Sequence, residues 1–280
     1  MGSGAIEIMF GIFPEENNII IFMYEEFNEI NQGFIDAVEE YEPIIKFYPL
    51  KTEKLSNSEI SMDKRSLDIQ VLGGDGLFTE FKRCSAGFLA TAKNEIKNYI
   101  VTANHCRNDK KGDVTKFFYG AWDEKPTLEF VGSMPPTGFS SYDFNLIDIS
   151  NMSDSLKPSP AIRNSDSEQF RMLPIYDGIP VSSHGVHLCK SGYSTHVTCG
   201  FVKAFDVFSY VRSGIYSSEL IMTSMLGRKG DSGGPAFAYS DLGIVILNGI
   251  YVAVIGNVNS MILPLSMITK YGDIEPIINK

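Results

Sequence analysis

The chain has 280 residues, of which 44% are hydrophobic, so it can bury one large or two modest cores and is neither a disordered nor a fibrous protein. Its formal net charge of −10, without a cluster of Lys and Arg, argues against nucleic-acid binding, because contacts with phosphates depend on such clusters. The acidic excess lies near the N-terminus, where residues 1–65 hold 13 acids and 5 bases. This stretch is either a solvated surface or a segment that folds separately.

The first 66 residues predict a small α+β segment. Residues 19–24 form a short apolar run, and the apolar side chains from Phe27 to Tyr41 recur at a spacing of three and four, which predicts a helix. Residues 44–48 predict a second strand. The polar residues 51–64 that follow show no periodicity, and we interpret them as a linker.

From about residue 68 onwards the pattern predicts antiparallel β structure. Short apolar runs are interrupted by Gly, Asn, Asp and Pro, and the second half of the chain repeats this pattern. The stretch 151–170, rich in Ser, Asn and Pro, is interpreted as a crossing between two β lobes. Residues 242–258 are the most membrane-like, but Gly and Asn interrupt them and their β-branched content favours buried strands over a spanning helix. A short helix is predicted at 265–271.

The four cysteines form two local pairs, Cys84 with Cys106 and Cys189 with Cys199, and we predict two disulfides, with buried free thiols as the alternative. Neither pair has the Cys-x-x-Cys spacing of a zinc site. Disulfides place a protein outside the cytosol, so we expect a secreted, extracellular protein. The N-terminus lacks the basic region and long apolar core of a signal peptide, so that signal would lie outside this sequence.

Three histidines lie near one another in the sequence, and this spacing raises the question of a metal site. We interpret His184, His187 and His196 as surface-loop residues, because such histidines are more common than ligands. No metal and no cofactor are therefore expected.

The strongest motif is Gly-Asp-Ser-Gly-Gly-Pro at residues 230–235. An acyl-transfer nucleophile needs a serine on a tight turn whose backbone amides face a developing oxyanion. Because Gly230 has no Cβ, it can take the conformation that aims its N–H beside that of Ser232. The motif predicts Ser232 as the nucleophile, with the N–H groups of Gly230 and Ser232 as the oxyanion hole.

The second motif is an apolar strand, residues 99–103, that leads through Asn104 to His105 and Cys106. A lone histidine is usually structural. Here a disulfide through Cys106 would anchor the backbone of His105, and a general base must stay within hydrogen-bond reach of its serine. We therefore predict His105 as the base.

The third motif is Asp143, which opens an otherwise apolar stretch and is therefore expected to be buried. A buried carboxylate needs a partner, and the ring N–H of His105 would supply one, fixing the tautomer of the imidazole. Asp148 is the alternative orienting carboxylate.

The order His, Asp, Ser is that of chymotrypsin, and the chain resembles chymotrypsin-like serine peptidases, most of all the bacterial branch with α-lytic protease and the streptogrisins. The segments that carry this resemblance are residues 72–75, 84–88, 102–106 and 226–235, with weaker support from 189–200. The resemblance implies an all-β domain over residues 67–280, with two antiparallel six-stranded β-barrels and the site between them. It also implies that residues 1–66 are an N-terminal pro-region, removed by cleavage near residues 65–67.

In this branch the aspartate beside the nucleophile is commonly paired with an internal basic residue, and the resemblance implies an ion pair between Asp231 and Lys190. The chain also departs from the family pattern. Asn104 is bulkier than the usual small residue. Lys229 is an additional residue before the nucleophile turn, the name used here for residues 230–235 around the predicted nucleophile Ser232. Tyr193 and His196 stand where relatives carry Arg and Gly.

The substrate wall is a further departure. Residues 250–254 replace the serine and glycines of relatives, so the wall is bulkier. We expect Met225, Leu226, Val252 and Val254 to bind substrate. Since there is no acid at the pocket base, we predict cleavage after small or medium apolar residues.

The sequence therefore predicts a monomeric serine endopeptidase that hydrolyses polypeptides through an acyl-enzyme on Ser232, without nucleic-acid or membrane partners. The alternative is a catalytically silent binding or regulatory protein on the same scaffold. An unrelated hydrolase is disfavoured, because its nucleophile turn would lead into a helix, whereas Pro235 and the apolar run after it predict a strand.

Overall fold

The computed structural model describes residues 5–50, 69–108, 112–124, 126–138, 142–211, 215–256 and 258–279. These residues form two α-helices and two β-sheets, one of eight strands and one of twelve.

The eight-stranded sheet contains the first barrel. Residues 86–88 lie between the short strands β6 (Arg83–Ser85) and β7 (Leu89–Ala92). They hydrogen-bond to Val101 of β8 (Asn98–Thr102), from Gly87 N to Val101 O (2.8 Å) and from Val101 N to Phe88 O (3.0 Å). The strands β6 and β7 are thus one bent strand, and the antiparallel pairings then close a ring of six. The strands are β5 (Gly76–Phe78), β6 (Arg83–Ser85), β7 (Leu89–Ala92), β8 (Asn98–Thr102), β9 (Thr115–Gly120), β10 (Phe130–Met134) and β11 (Asn145–Asp148).

The second barrel is a closed ring of six antiparallel strands within the larger sheet, in the order β14, β15, β16, β19, β18, β17. The predicted pair of six-stranded antiparallel barrels is therefore confirmed. The predicted preference for strands over a membrane helix at residues 242–258 is also confirmed. The strands are β14 (His187–Gly192), β15 (His196–Val211), β16 (Ile215–Thr223), β17 (Pro235–Asp241), β18 (Ile244–Ile255) and β19 (Asn259–Pro264).

The crossing between the barrels is more regular than the sequence predicts. It contains β12 (Leu156–Arg163), which pairs in parallel with β4 (Ile69–Gly73) and antiparallel with β13 (Met172–Gly178). Pro158 and Pro160 gave this segment the composition of a loop. Pro158 lies where β12 pairs with β4 alone, and Pro160 lies where the register with β4 shifts, and both are positions at which a strand tolerates proline.

The N-terminal segment extends the second sheet. Its strands β2 (Asn18–Tyr24) and β3 (Ile44–Tyr48) flank helix α1 (Asn28–Val38), which confirms the predicted elements. The strand β1 (Ile8–Phe13), which the sequence analysis did not predict, pairs antiparallel with β2 and with β15, for example through Phe10 and Phe208. The predicted linker at 51–64 and the cleavage region at 65–67 lie outside the described residues.

The C-terminal part of the chain connects the two barrels. The predicted short helix is confirmed as α2 (Leu265–Gly272), and it follows directly on β19 of the second barrel. The last strand, β20 (Ile274–Pro276), pairs with β7 of the first barrel. Among the described residues, none of the helices has the length and apolar content needed to span a bilayer.

Candidate active site

The predicted base lies where the sequence placed it, in a single 3₁₀ turn, Asn104–Cys106, directly after β8. The turn is anchored by the disulfide from Cys106 to Cys84 of β6, and Cys106 is fully buried. The His105 side chain is 47% exposed, so the imidazole remains accessible to a substrate. The fold thus fixes the backbone of this histidine and leaves its ring at the surface.

Asp143 contacts His105 at two points. Its Oδ2 lies 2.6 Å from Nδ1 of the ring, and its Oδ1 accepts a 2.9 Å hydrogen bond from the backbone N–H of His105. The alternative carboxylate is engaged elsewhere, because Asp148 pairs with Lys97 (2.9 Å) and accepts hydrogen bonds from Ser150. Of the two candidates, Asp143 is therefore the one that contacts the imidazole.

The surroundings of Asp143 stabilise its ionised form. Burial alone would raise the pKa of this carboxyl, but the charge of His105 and the hydrogen bonds from His105 and the backbone of Asn104 hold the pKa below its usual value. An ionised carboxylate only accepts hydrogen bonds, so it selects the tautomer with the proton on Nδ1. In the neutral ring Nε2 is then the acceptor.

The nucleophile turn packs against the strand that leads to His105. Ser85 N–H donates to the carbonyl of Ser232 (2.8 Å), and Ser85 Oγ donates to the carbonyl of Gly230 (2.7 Å). Gly233 has a φ of +89°, and a Cβ at this position would overlap Thr102 Oγ1 and come within 2.9 Å of Ala103 N. A glycine is therefore required here, and its absence of a side chain lets the two segments touch.

Two backbone amides of this turn remain available. Asp231 N donates to Arg228 O, Gly233 N to Tyr251 O and Gly234 N to Asp231 O. Within the described part of the chain, the N–H groups of Gly230 and Ser232 donate to no hydrogen-bond acceptor. Gly230 has a φ of +104°, a left-handed conformation that favours glycine.

The ion pair inferred beside the nucleophile is present. Lys190 Nζ lies 3.4 Å from Asp231 Oδ2, and both side chains are fully buried. Asp231 also accepts hydrogen bonds from the backbone N–H groups of Ser194, Thr195 and Arg228, each at 2.9 Å. The turn is therefore held by an internal cation and by a fixed set of amides.

The four residues expected to bind substrate differ in accessibility. Met225 and Val252 are buried in the hydrophobic core, whereas Val254 is partly buried and Leu226 is 52% exposed. The pairing of β18 with β17 ends at Ile250. The next residue, Tyr251, exchanges backbone hydrogen bonds with Gly233 and Gly234 of the nucleophile turn. Beyond that point β18 pairs only with β19 among the described residues, so one edge of residues 252–255 is open.

The described cysteines and histidines do not supply a metal site. Histidines come close to cysteines at His105 and at His187, but all four cysteines form the two predicted disulfides, Cys84–Cys106 and Cys189–Cys199, which are thereby confirmed. A disulfide sulfur lacks the thiolate that a metal would bind. The three histidines considered for a metal pack on separate aromatic rings: His184 on Phe205, His187 on Phe201 and His196 on Trp122.

Sequence reasoning missed a polar cleft of about 460 Å³ beside the nucleophile turn. Its residues come from four separate stretches of the chain, so no local motif marks it. Tyr193, His196 and Lys229 of this lining had been noted as departures from the family pattern. These departures were the one sequence feature that could have pointed to the cleft. The lining residues are Arg83, Asp123, Tyr193, Ser194, His196, Arg228 and Lys229.

Two closed six-stranded antiparallel barrels, with histidine, aspartate and serine motifs in the order of chymotrypsin, define the chymotrypsin-like fold. The chain is similar in sequence to Streptogrisin-D of Streptomyces griseus, 27% identical over 175 residues, which cover 60% of this chain and 38% of that protein. It is also similar to Serine protease 1 of Streptomyces fradiae, 28% identical over 175 residues, 61% of this chain and 43% of that protein.

Solved structures show the same fold. Protease A of Thermobifida fusca superposes with a TM-score of 0.59 at 17% sequence identity, covering 75% of this chain and 100% of that one. No protein-family model matches the chain. The chain spans about two fifths of the length of the curated relatives it matches. The predicted resemblance to bacterial chymotrypsin-like serine peptidases is confirmed by these matches.

Proposed function

We propose that the protein is a serine endopeptidase in which Ser232 is the nucleophile, His105 the general base and Asp143 the residue that orients the base. The observation that carries the proposal is that Asp143 contacts both the ring and the backbone of His105. The turn that holds Ser232 packs against the residues just before His105. The similarity to bacterial serine proteases supports the same reaction class.

In the proposed reaction, Ser232 Oγ attacks the carbonyl carbon of the scissile peptide bond while its proton passes to Nε2 of His105. The N–H groups of Gly230 and Ser232 donate to the oxyanion of the tetrahedral intermediate. The imidazolium, stabilised by the carboxylate of Asp143, then protonates the leaving amine, and an acyl-enzyme remains on Ser232. Water, activated by His105, releases the acyl product and restores the serine.

We propose that cleavage follows small or medium apolar residues. The accessible parts of the expected wall are apolar, and none of its residues 250–254 is acidic. The open edge of β18 could pair with the backbone of an extended substrate, a common mode of peptide recognition. Profiling with a peptide library tests this preference, and dominant cleavage after Lys or Arg would contradict it.

The N-terminal segment, residues 1–66, is proposed to be a pro-region and residues 67–280 the peptidase domain, so that the protein is secreted as a zymogen. The two disulfides support an oxidising destination. Sequencing the N-terminus of active, secreted material tests this division. A start near residues 65–67 is expected, and active enzyme that retains the segment would reject it.

The decisive experiment for activity is labelling with a fluorophosphonate, followed by mass spectrometry of the labelled peptide. The label is expected on Ser232 and absent from Ser232→Ala, whose turnover should fall by about a millionfold. A folded wild-type protein that does not react would identify a catalytically silent scaffold instead.

A further inference from the structure

The polar cleft and the substrate wall adjoin different ends of the nucleophile turn. The wall strand β18 contacts the turn through Gly233 and Gly234, which follow the nucleophile. The cleft adjoins Gly230, which precedes it, and a Cβ at Gly230 would overlap Ser194 Oγ and lie 3.3 Å from Arg83 Nε. If the residues on the N-terminal side of the scissile bond lie along β18, the residues on its C-terminal side, which belong to the leaving group, would therefore pass over this cleft.

The cleft carries an excess of positive charge. Arg83, Arg228 and Lys229 line it, and none of the three forms an ion pair with a carboxylate among the described residues. Arg83 Nε is inaccessible to solvent and has no hydrogen-bond partner within the described ranges. Such an unsatisfied donor is uncommon in a folded protein. Three unpaired cations are also unexpected in a chain whose net charge is −10.

Asp123 is the one acidic residue in the lining of the cleft, and its carboxylate lies near His196 rather than near the three cations. Asp123 Oδ1 lies 3.6 Å from His196 Nε2, and its side chain is 81% exposed. Asp123 therefore opposes the three cations only weakly across a solvated opening.

Several walls of the cleft are fixed in place. Tyr193 N–H donates to Ser85 Oγ (2.9 Å), and the Tyr193 ring packs edge-on against Phe78, with centroids 5.0 Å apart. The His196 ring stacks on Trp122 at 4.1 Å between centroids. The cleft is thus formed before a ligand arrives, which lowers the entropic cost of binding.

We propose that this cleft binds the side-chain carboxylate of an Asp or Glu residue on the leaving-group side of the scissile bond. This inference rests on the proposed peptidase function and adds a second determinant of its substrates. A guanidinium offers several N–H donors in a planar arrangement that matches a carboxylate, and the side chains of Arg83 and Arg228 both line the cleft.

The test uses internally quenched fluorogenic peptides with an amidated C-terminus, so that the chosen side chain is the sole downstream carboxylate. Pairs of peptides differ by Glu against Gln at the first, second or third position after the scissile bond. At one or more positions we expect kcat/KM to be about five- to tenfold higher for Glu than for Gln. The ratio should fall towards one as ionic strength rises, because salt screens charges at a solvated site.

The double variant Arg228→Gln/Lys229→Gln should reduce the Glu-to-Gln ratio to below about half of the wild-type ratio, because two of three cations are lost. Lys157→Gln is the matched control and should keep the wild-type ratio, because this exposed lysine makes its one side-chain hydrogen bond, among the described residues, to Asp154 O. Asp123→Asn should raise the ratio, which provides a test that does not alter the segment next to Gly230.

Labelling of Ser232 separates the two proposals. Labelled enzyme that cleaves Glu and Gln peptides equally at every position, or whose preference does not respond to salt or to Asp123→Asn, overturns the inference and leaves the peptidase proposal intact. Protein that neither reacts with the fluorophosphonate nor cleaves any peptide overturns both.

Discussion

Lys190 Nζ and Asp231 Oδ2 form an ion pair, 3.4 Å apart, whose two side chains have no exposed surface. Burial lowers the pKa of Lys190, and the negative charge of Asp231 opposes that shift. Because Lys190 belongs to β14 and Asp231 directly precedes Ser232, this pair connects the barrel wall to the turn. The geometry of the turn therefore depends on a charge that water does not reach.

Removing one member of this pair should destabilise the protein. Lys190→Met leaves the carboxylate of Asp231 buried without its cation, and the free energy of unfolding should fall by about 3 kcal/mol. Urea denaturation measures this change. The double variant Lys190→Met/Asp231→Asn removes both charges and should lose less than the two single variants together. Unchanged stability in Lys190→Met would show that the pair is not structurally important.

Replacing Asp143 should impair catalysis far more than it impairs folding. Asp143→Asn places an amide against Nδ1 of His105 and selects the wrong tautomer, so kcat should fall by about 10⁴-fold. The matched control is Asp148→Asn at the end of β11, the strand that follows Asp143, where the carboxylate contacts Lys97 and Ser150 rather than the histidine. Its kcat on a peptide substrate should stay within about twofold of wild type, since surface pairs contribute little. Equal losses in the two variants would contradict the assignment.

The lowered pKa of Asp143 predicts a particular dependence of stability on pH. A carboxyl whose pKa is lower in the folded state stabilises the fold above its unfolded value of 3.8, and this contribution is lost as the pH falls through the lowered folded value. Wild type should therefore lose more unfolding free energy between pH 5 and strongly acidic pH than Asp143→Asn. Denaturant titrations at several pH values measure the difference. Parallel curves for the two proteins would argue against a stabilised carboxylate.

The disulfide next to the base should matter more for activity than the other one. Cys84→Ala/Cys106→Ala should lower the free energy of unfolding by about 3 kcal/mol and also reduce kcat/KM, because it frees the turn that carries His105. Cys189→Ala/Cys199→Ala removes the cross-link between β14 and β15 and serves as the comparison. A larger loss of kcat/KM in the second variant, at equal stability, would reverse this expectation.

Much of the fold follows from local patterns in the sequence. The helices α1 and α2 and the apolar runs that became β2, β3 and β18 could be predicted because each pattern lies within a few consecutive residues, although Ile30 on the expected apolar face of α1 is exposed. The cysteine pairs could be predicted because each closes a short loop of the chain. In the structure Cys189 and Cys199 face each other on β14 and β15, and Cys84 of β6 bonds Cys106 in the turn after β8. The contact between His105 and Asp143 was expected from the residue types, and the structure supplies its distances.

Other features depend on contacts between distant segments, and no local pattern reports them. The strand β1 pairs with its neighbour β2 but also with β15, about 200 residues later, and β12 pairs in parallel with β4, which precedes the whole first barrel in the chain. The cleft around Arg83 and Arg228 joins residues more than 100 positions apart. For Met225 and Val252, the apolar character was evident in the sequence, but burial in the core, rather than at an open wall, is a property of the tertiary packing.

Gly233, next to Ser232, closely approaches Thr102 and Ala103 of the first barrel. In the proposed mechanism Ser232 and His105 come from different barrels, so they can act together only when both barrels have docked. A folding intermediate with one barrel formed would therefore hold no working combination of the three side chains. Expressed separately, the two halves of the chain should be inert and should regain hydrolysis only on reassociation. In this molecule, hydrolytic competence would appear as the last event of assembly.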